Sequence, residues 1–404
     1  MSASHADPDG AIVITGVSVL TPLADDVPSL LTALHARRNA MVEAPDILGA
    51  AVSRIEPFVA TQYANVRGLR VYNRTMQLGI CAAKLALSDA QLDPTDIPSD
   101  EFGIVAASTF GHMDTLIEYD RSLMTHGLQR TNPTLMPLAI PSAPGAVAGL
   151  SFGAKAFTLT LANGAASSLD ALGLGLRFLS DARARVCVVV AAFANCRELI
   201  LSAARAGALT RPQDVLVFDS RSRGTGLGEA SAAIVLERAE NARARDVPAK
   251  GVLRGHVSTF APRTCDRSDA LKRACEGALR CAGSVPGDIA LVSAGANGIP
   301  DRDLAEAEGI HAALGKACAN AAVIAIKGNL GEVVDAGGLL QVITALESLR
   351  SRTAPPIRGL ERPVESNLRF VRETAPISAT DALVTSMSNT GACSALVVSG
   401  GHAF

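Results

Sequence analysis

The first place in this chain where chemistry could be housed is Asn163 to Leu174 (NGAASSLDALGL). This small-residue turn leads from the apolar run Phe157 to Leu161 straight into a helical pattern. Small side chains let such a turn be tight and leave backbone amides at the helix start facing outward. An acyl-transfer nucleophile would sit there, because a helix N-terminus lowers a thiol pKa and free amides hold an oxyanion. Taken alone, the segment reads more simply as a strand-to-helix turn without chemistry. A second candidate, Phe218 to Glu229 (FDSRSRGTGLGE), is glycine-rich, yet it precedes a strand and lacks the Lys-Ser/Thr ending that phosphate cradling requires. The eight cysteines, Cys81, Cys187, Cys196, Cys265, Cys275, Cys281, Cys318 and Cys393, show no CxxC pair and no regular spacing. They read as buried thiols of a reducing cytoplasm, with neither a metal site nor a disulfide framework.

Elements able to position these residues alternate along the chain. Ala11 to Val19, Phe102 to Ala107, Phe157 to Leu161, Val186 to Phe193 and Ala230 to Leu236 are apolar runs of strand length. Helical patterns follow Thr21-Pro22-Leu23 and cover Gln77 to Ala90, Ser168 to Leu179 and Glu237 to Arg245. Asn132 to Gly149, rich in proline and alanine, reads as a long ordered loop. A second round begins near residue 250: strands at Gly251 to Ser258, Ile289 to Ala294, Ala322 to Ile326 and near Ala382 and Leu396, with helices at Arg267 to Ala282, Leu304 to Leu314 and Ala336 to Leu349. Strands apolar on both faces belong to a buried sheet covered by helices. The order of elements predicts two similar α/β halves, 1–247 and 248–404, packed into one body without a linker.

With 404 residues, 48% of them hydrophobic, the chain can bury a large core. A formal charge of −2 with scattered basic residues gives no reason to expect nucleic acid. No run approaches the roughly 18 apolar residues of a membrane span, and the opening MSASHADPDG has no basic stretch followed by an apolar one. A cytoplasmic protein without membrane contact is expected.

Four stretches together resemble one family. ASSLDAL after Ala165, the Phe218 to Glu229 stretch with Asp219, Gly228 and Glu229, KGNLGEVVDAGG (Lys327 to Gly338) and the closing NTGACSALVV are similar, in this order, to the β-ketoacyl synthases. The likeness runs from VITGVSVLTPL to the C-terminus, and it implies a thiolase-like fold of layers αβαβα. In the family motif TACASS the nucleophilic cysteine falls on Ala165. A first histidine, in AHGTxTxxxD, falls on Gly295 of AGANGIPDRD, and a second, in KSxxGHxxGAAG, falls on Glu332. None of His5, His35, His112, His126, His256, His311 and His402 lies near these motifs, and each reads as a surface or structural residue.

Claisen condensation needs a nucleophile to hold the acyl chain and donors to steady the enolate left when a malonyl unit loses carbon dioxide. Alanine and glycine supply neither, and a glutamate would repel a developing enolate. The resemblance therefore implies no enzyme by itself, with no cofactor. It implies a chain-length factor of a type II polyketide synthase, paired with an active β-ketoacyl synthase and served by an acyl carrier protein. Such factors usually carry glutamine where Ala165 stands, which implies a divergent branch of polyene type. The tunnel-end region is similar to Phe110 to Met124, where Phe110, Met113, Leu116, Ile117 and Asp120 are the wall candidates, the last four on one helical face. Lys327, Asp303 and Glu306 imply a retained buried ion-pair network of structural role. Two other readings stay open: an acyltransferase using Cys196 or Cys393, and a pure scaffold for synthase and carrier protein.

Overall fold

The computed structural model describes residues 10–378 and 380–400, so His5, His402 and most of the polar N-terminal tail lie outside the described residues. Ten strands carry the architecture: β1 Ile12–Leu20, β2 Phe102–Ala107, β3 Phe157–Leu161, β4 Val186–Phe193, β5 Ala230–Arg238, β6 Gly251–Phe260, β7 Ile289–Ser293, β8 Ala322–Ile324, β9 Asp381–Met387 and β10 Ala392–Gly400. In the first half they lie in the order β1-β5-β4-β2-β3 and in the second β6-β10-β9-β7-β8, followed by the short strand Arg369–Phe370. Each half places its first strand beside its last and its second between its fourth and third. Pairing sense repeats too: antiparallel twice, then parallel twice. Residues Ile12 to Ile14 of β1 meet Gly251 to Leu253 of β6 and join the halves into one eleven-stranded mixed sheet.

Helices complete five layers. The helix α1, Arg74–Asp89, covers the outer face of β1, β4 and β5. Two helices, α4 (Ser167–Ser180) and α7 (Gly337–Ser351), share one apolar core between the sheet halves. On the far side α5 (Arg267–Ala282) and α6 (Pro300–Leu314) cover β6, β10 and their neighbours. The N-termini of α4 and α7 approach closely: a Cβ on Gly338 would stand 2.6 Å from Ser168 Oγ. Among the described residues no helix is long and apolar enough to cross a membrane.

The stretch Asn132 to Gly149 is not a loop. It contains a short helix, Met136–Ala139, and the start of α3, Ala143–Phe152. Its prolines mislead because Pro137 and Pro144 occupy first-turn positions, where a missing N–H costs nothing and the fixed φ favours helix. Two cysteines also differ from expectation: Cys265 and Cys281 are exposed, the first in the turn before α5 and the second on its outer face.

Candidate functional site

The two central helices start from matching single turns, Gly164–Ala166 before α4 and Val334–Ala336 before α7, and these turns touch. Two helix N-termini therefore converge on one spot, a setting that favours negative charge. Ala165 lies in the first turn, buried, and its carbonyl accepts a hydrogen bond from Ser386 Oγ at 2.7 Å. The amides ahead of it do not all face outward. Asn163 N donates to Ser167 Oγ at 2.7 Å and Gly164 N to Thr109 Oγ1 at 2.9 Å.

Gly295 follows β7. Its N–H donates to Glu306 Oε1 at 2.8 Å, and a Cβ there would stand 2.9 Å from the Thr385 carbonyl and 3.1 Å from Ser386 Cα. Backbone atoms thus occupy the space a larger side chain would need.

Glu332 fills the remaining position with an ion pair. Lys327 Nζ is 3.0 Å from its carboxylate, Asn297 Nδ2 donates to it at 2.7 Å and Val334 N at 2.9 Å. Burial opposes the charge, yet Lys327, Arg302 and the Asn297 amide outweigh it and hold the Glu332 carboxyl below its ordinary range. Glu332 is therefore an anion at neutral pH, neutralised by a lysine that is 1% exposed.

The acidic partners expected for Lys327 serve elsewhere. Asp303 accepts from the amides of Phe218, Asn297 and Gly298, and Glu306 from Gly295 N and Thr385 Oγ1. Neither forms an ion pair with Lys327, because the chain's own Glu332 has taken that role. Burial pushes Asp303 up to about 6 and Glu306 up to about 7 despite these donors.

The glycine-rich stretch is structural. Glu229 accepts two hydrogen bonds from Arg74, each 2.7 Å, and one from Ile55 N at 3.0 Å. Burial disfavours the charged form of Asp219, but Arg221 and the amides of Arg362, Arg221 and Glu361 set its pKa far below the carboxylate range. A Cβ on Gly228 would stand 2.8 Å from Val333 Cγ1 and 3.0 Å from Ser53 Oγ.

The segment Phe110 to Asp120 leads into α2, Met113–His126. Met113, Leu116 and Ile117 are half-buried, Asp120 is exposed, and Phe110 is 40% exposed with its ring 6.3 Å from that of Phe193. Asp120 therefore does not share the half-buried surface of the other three. Phe193 ends an all-buried strand and carries no sequence signal beyond that of core.

Cys196 and Cys393 are both buried, and burial pushes each thiol up to about 11. Asp114 and Glu198 bring carboxylate atoms within 4.8 Å of the Cys196 sulfur, which favours the thiol over the thiolate. His256 Nε2 lies 3.2 Å from the accepting Asp170 carboxylate and 3.0 Å from Ser394 Oγ, a structural tie between the halves.

Residues 9–242 match the N-terminal domain of the β-ketoacyl synthases and residues 251–361 their C-terminal domain. Over 383 residues the chain is 25% identical to the 3-oxoacyl-[acyl-carrier-protein] synthase 2 of Synechocystis sp., covering 89% of this chain and 90% of that one. Among solved structures, the ishigamide ketosynthase/chain length factor superposes with a TM-score of 0.88 at 22% identity, over 96% of this chain and 99% of that one. A type II polyketide synthase acyl-carrier protein in complex with its ketosynthase gives 0.84 at 19%, with the same coverage. These likenesses establish the thiolase-like α/β fold.

Proposed function

The chain belongs to the β-ketoacyl synthase family, and we propose that it is a non-catalytic member, a chain-length factor that pairs with an active synthase and walls its acyl tunnel. The carrying observation is the rebuilt site. Ala165 offers no nucleophile, Gly295 is closed in by backbone, and the Glu332–Lys327 pair stands where neutral donors would steady an enolate. The relatives named above as synthases share the scaffold, so it is the side chains that set this chain apart.

A partner has a place to bind. Among the described residues β3 is the outermost strand of the sheet and pairs only with β2, leaving its other edge open. Apolar groups flank that edge: Leu159 is 37% exposed and Leu150, on the adjoining α3, 81%. An open apolar edge is a template for a second strand. The Phe110 segment is tied to the approach to α3, since His112 N donates to the Ala139 carbonyl at 3.4 Å and Ile140 leads into α3. A synthase seated on β3 would meet the Phe110 segment, which then closes its tunnel. The growing chain arrives on an acyl carrier protein and stays covalently on the partner; this subunit forms no bond to it. The likenesses to a ketosynthase/chain length factor and to a carrier-protein complex support this reading.

Co-expression with an active β-ketoacyl synthase from the same organism tests the proposal. The expected result is a stable heterodimer whose product length shifts when Phe110 or Met113 is enlarged or shrunk. A self-sufficient homodimer that leaves the synthase fully active alone, or a product profile indifferent to every such variant, would overturn it.

A further inference from the structure

Asp335, buried in the turn before α7, receives two hydrogen bonds from a single residue: Thr109 N donates to Oδ2 at 2.9 Å and Thr109 Oγ1 to Oδ1 at 2.6 Å. Thr109 Oγ1 in turn accepts the Gly164 N–H at 2.9 Å and lies 3.3 Å from Ser167 Oγ. One carboxylate thus fastens three segments distant in the chain: the turn before α7, the turn that carries Ala165, and the connection from β2 into the Phe110 segment. The residue ahead of Asp335 is held as well. Val334 has φ +40°, a left-handed conformation that a β-branched residue adopts only when its surroundings impose it. Its N–H is bonded to Glu332, so two carboxylates bracket the strained residue.

A residue bonded to one carboxylate through both its backbone and its side chain is fixed in backbone and χ1 together. Thr109 is so fixed, and Phe110 is its neighbour. We propose that Asp335 is a positioning residue of the tunnel wall, acting through Thr109 to set where the Phe110 ring stands and so which chain length the complex accepts. The inference rests on the chain-length reading above. It assigns a use to a turn that has lost its chemistry: the former reaction site has become the anchor of the wall.

The test uses the heterodimer with its synthase and loaded acyl carrier protein, with products resolved by mass spectrometry. Asp335→Asn and Thr109→Val are each expected to change the ratio of the main product to its one-unit neighbours by roughly tenfold or more, about the effect of one lost charged hydrogen bond. The double variant should do little more than the stronger single variant, because both act on the one contact between Asp335 and Thr109. Thr109→Ser, which keeps hydroxyl and amide, should restore the original ratio, a rescue that general loss of stability would not produce. Should Asp335→Asn fail to assemble, Thr109→Val carries the test. Intact heterodimers whose ratio stays put in both single variants, while Phe110→Ala shifts it, overturn the positioning role. If Phe110→Ala also leaves the ratio unmoved, it is the chain-length reading that falls, and this inference with it.

Discussion

Removing the Glu332 carboxylate should be among the most damaging single changes this protein can suffer, although the family resemblance places a catalytic group at this position. In Glu332→Ala the Lys327 ammonium, 1% exposed, loses its ion-pair partner at 3.0 Å. Breaking a buried pair from one side costs about 3–5 kcal/mol. The Asn297 amide and Val334 N–H lose acceptors as well, adding on the order of 1 kcal/mol. Unfolding entropy of about 2.1 cal/mol/K per residue over 404 residues makes 5 kcal/mol equivalent to a fall of about 6 °C in Tm. Scanning calorimetry of wild type, Glu332→Ala and the double variant Lys327→Met/Glu332→Leu checks it. The double variant, which removes both charges and keeps apolar volume, should recover most of the loss. A single variant within about 1 °C of wild type, or a double variant as unstable as the single, would refute the claim that the pair is what makes this site stable.

Restoring the lost groups should not restore the reaction. Ala165→Cys/Gly295→His/Glu332→His is expected to show no decarboxylation of malonyl carrier protein, since a side chain at 295 meets Thr385 and Ser386 backbone; measurable turnover would contradict the packing argument. Cys196 and Cys393, with pKa values of about 11, should resist alkylation at neutral pH while the exposed Cys265 and Cys281 react quickly, and no acyl adduct should form on the first two. Peptide mass spectrometry decides, and a stoichiometric adduct on either would revive an acyltransferase reading. Glu306 stays protonated in the folded chain up to about pH 7 but titrates near its ordinary value when unfolded. The folded state holds the extra proton in that window, so stability falls as pH rises through it. Tm of wild type relative to Glu306→Gln should therefore drop between about pH 5 and about pH 8 by the equivalent of a few kcal/mol, and a flat or rising difference would show the proton is not there.

How far the sequence reaches depends on whether a feature is local. β2, β4 and α5 run where apolar periodicity places them, because strands buried on both faces and a strongly amphipathic helix write their burial into consecutive residues. The prolines of Met136–Ala139 and α3 hid two helices, since one residue type signals both a helix start and a loop. The absent thiol and imidazoles at Ala165, Gly295 and Glu332 are legible by likeness alone. What replaced them is not. Whether Glu332 repels or pairs depends on Lys327 facing it, which the spacing of five residues does not decide. Thr109 and Asp335 lie 226 positions apart, and neither sits in a pattern that points to the other.

The open edge of β3 bears on how this protein must be made. Its outward amides and carbonyls, with Leu159 and Leu150 beside them, will pair with whatever extended chain arrives first. If the proposed synthase partner covers this edge, a copy synthesised without it is exposed to self-association and to proteolysis, and yield should follow the molar ratio of the two polypeptides and peak near parity. The strand left unpaired would thus make stoichiometry, and not affinity alone, the condition for the proposed assembly.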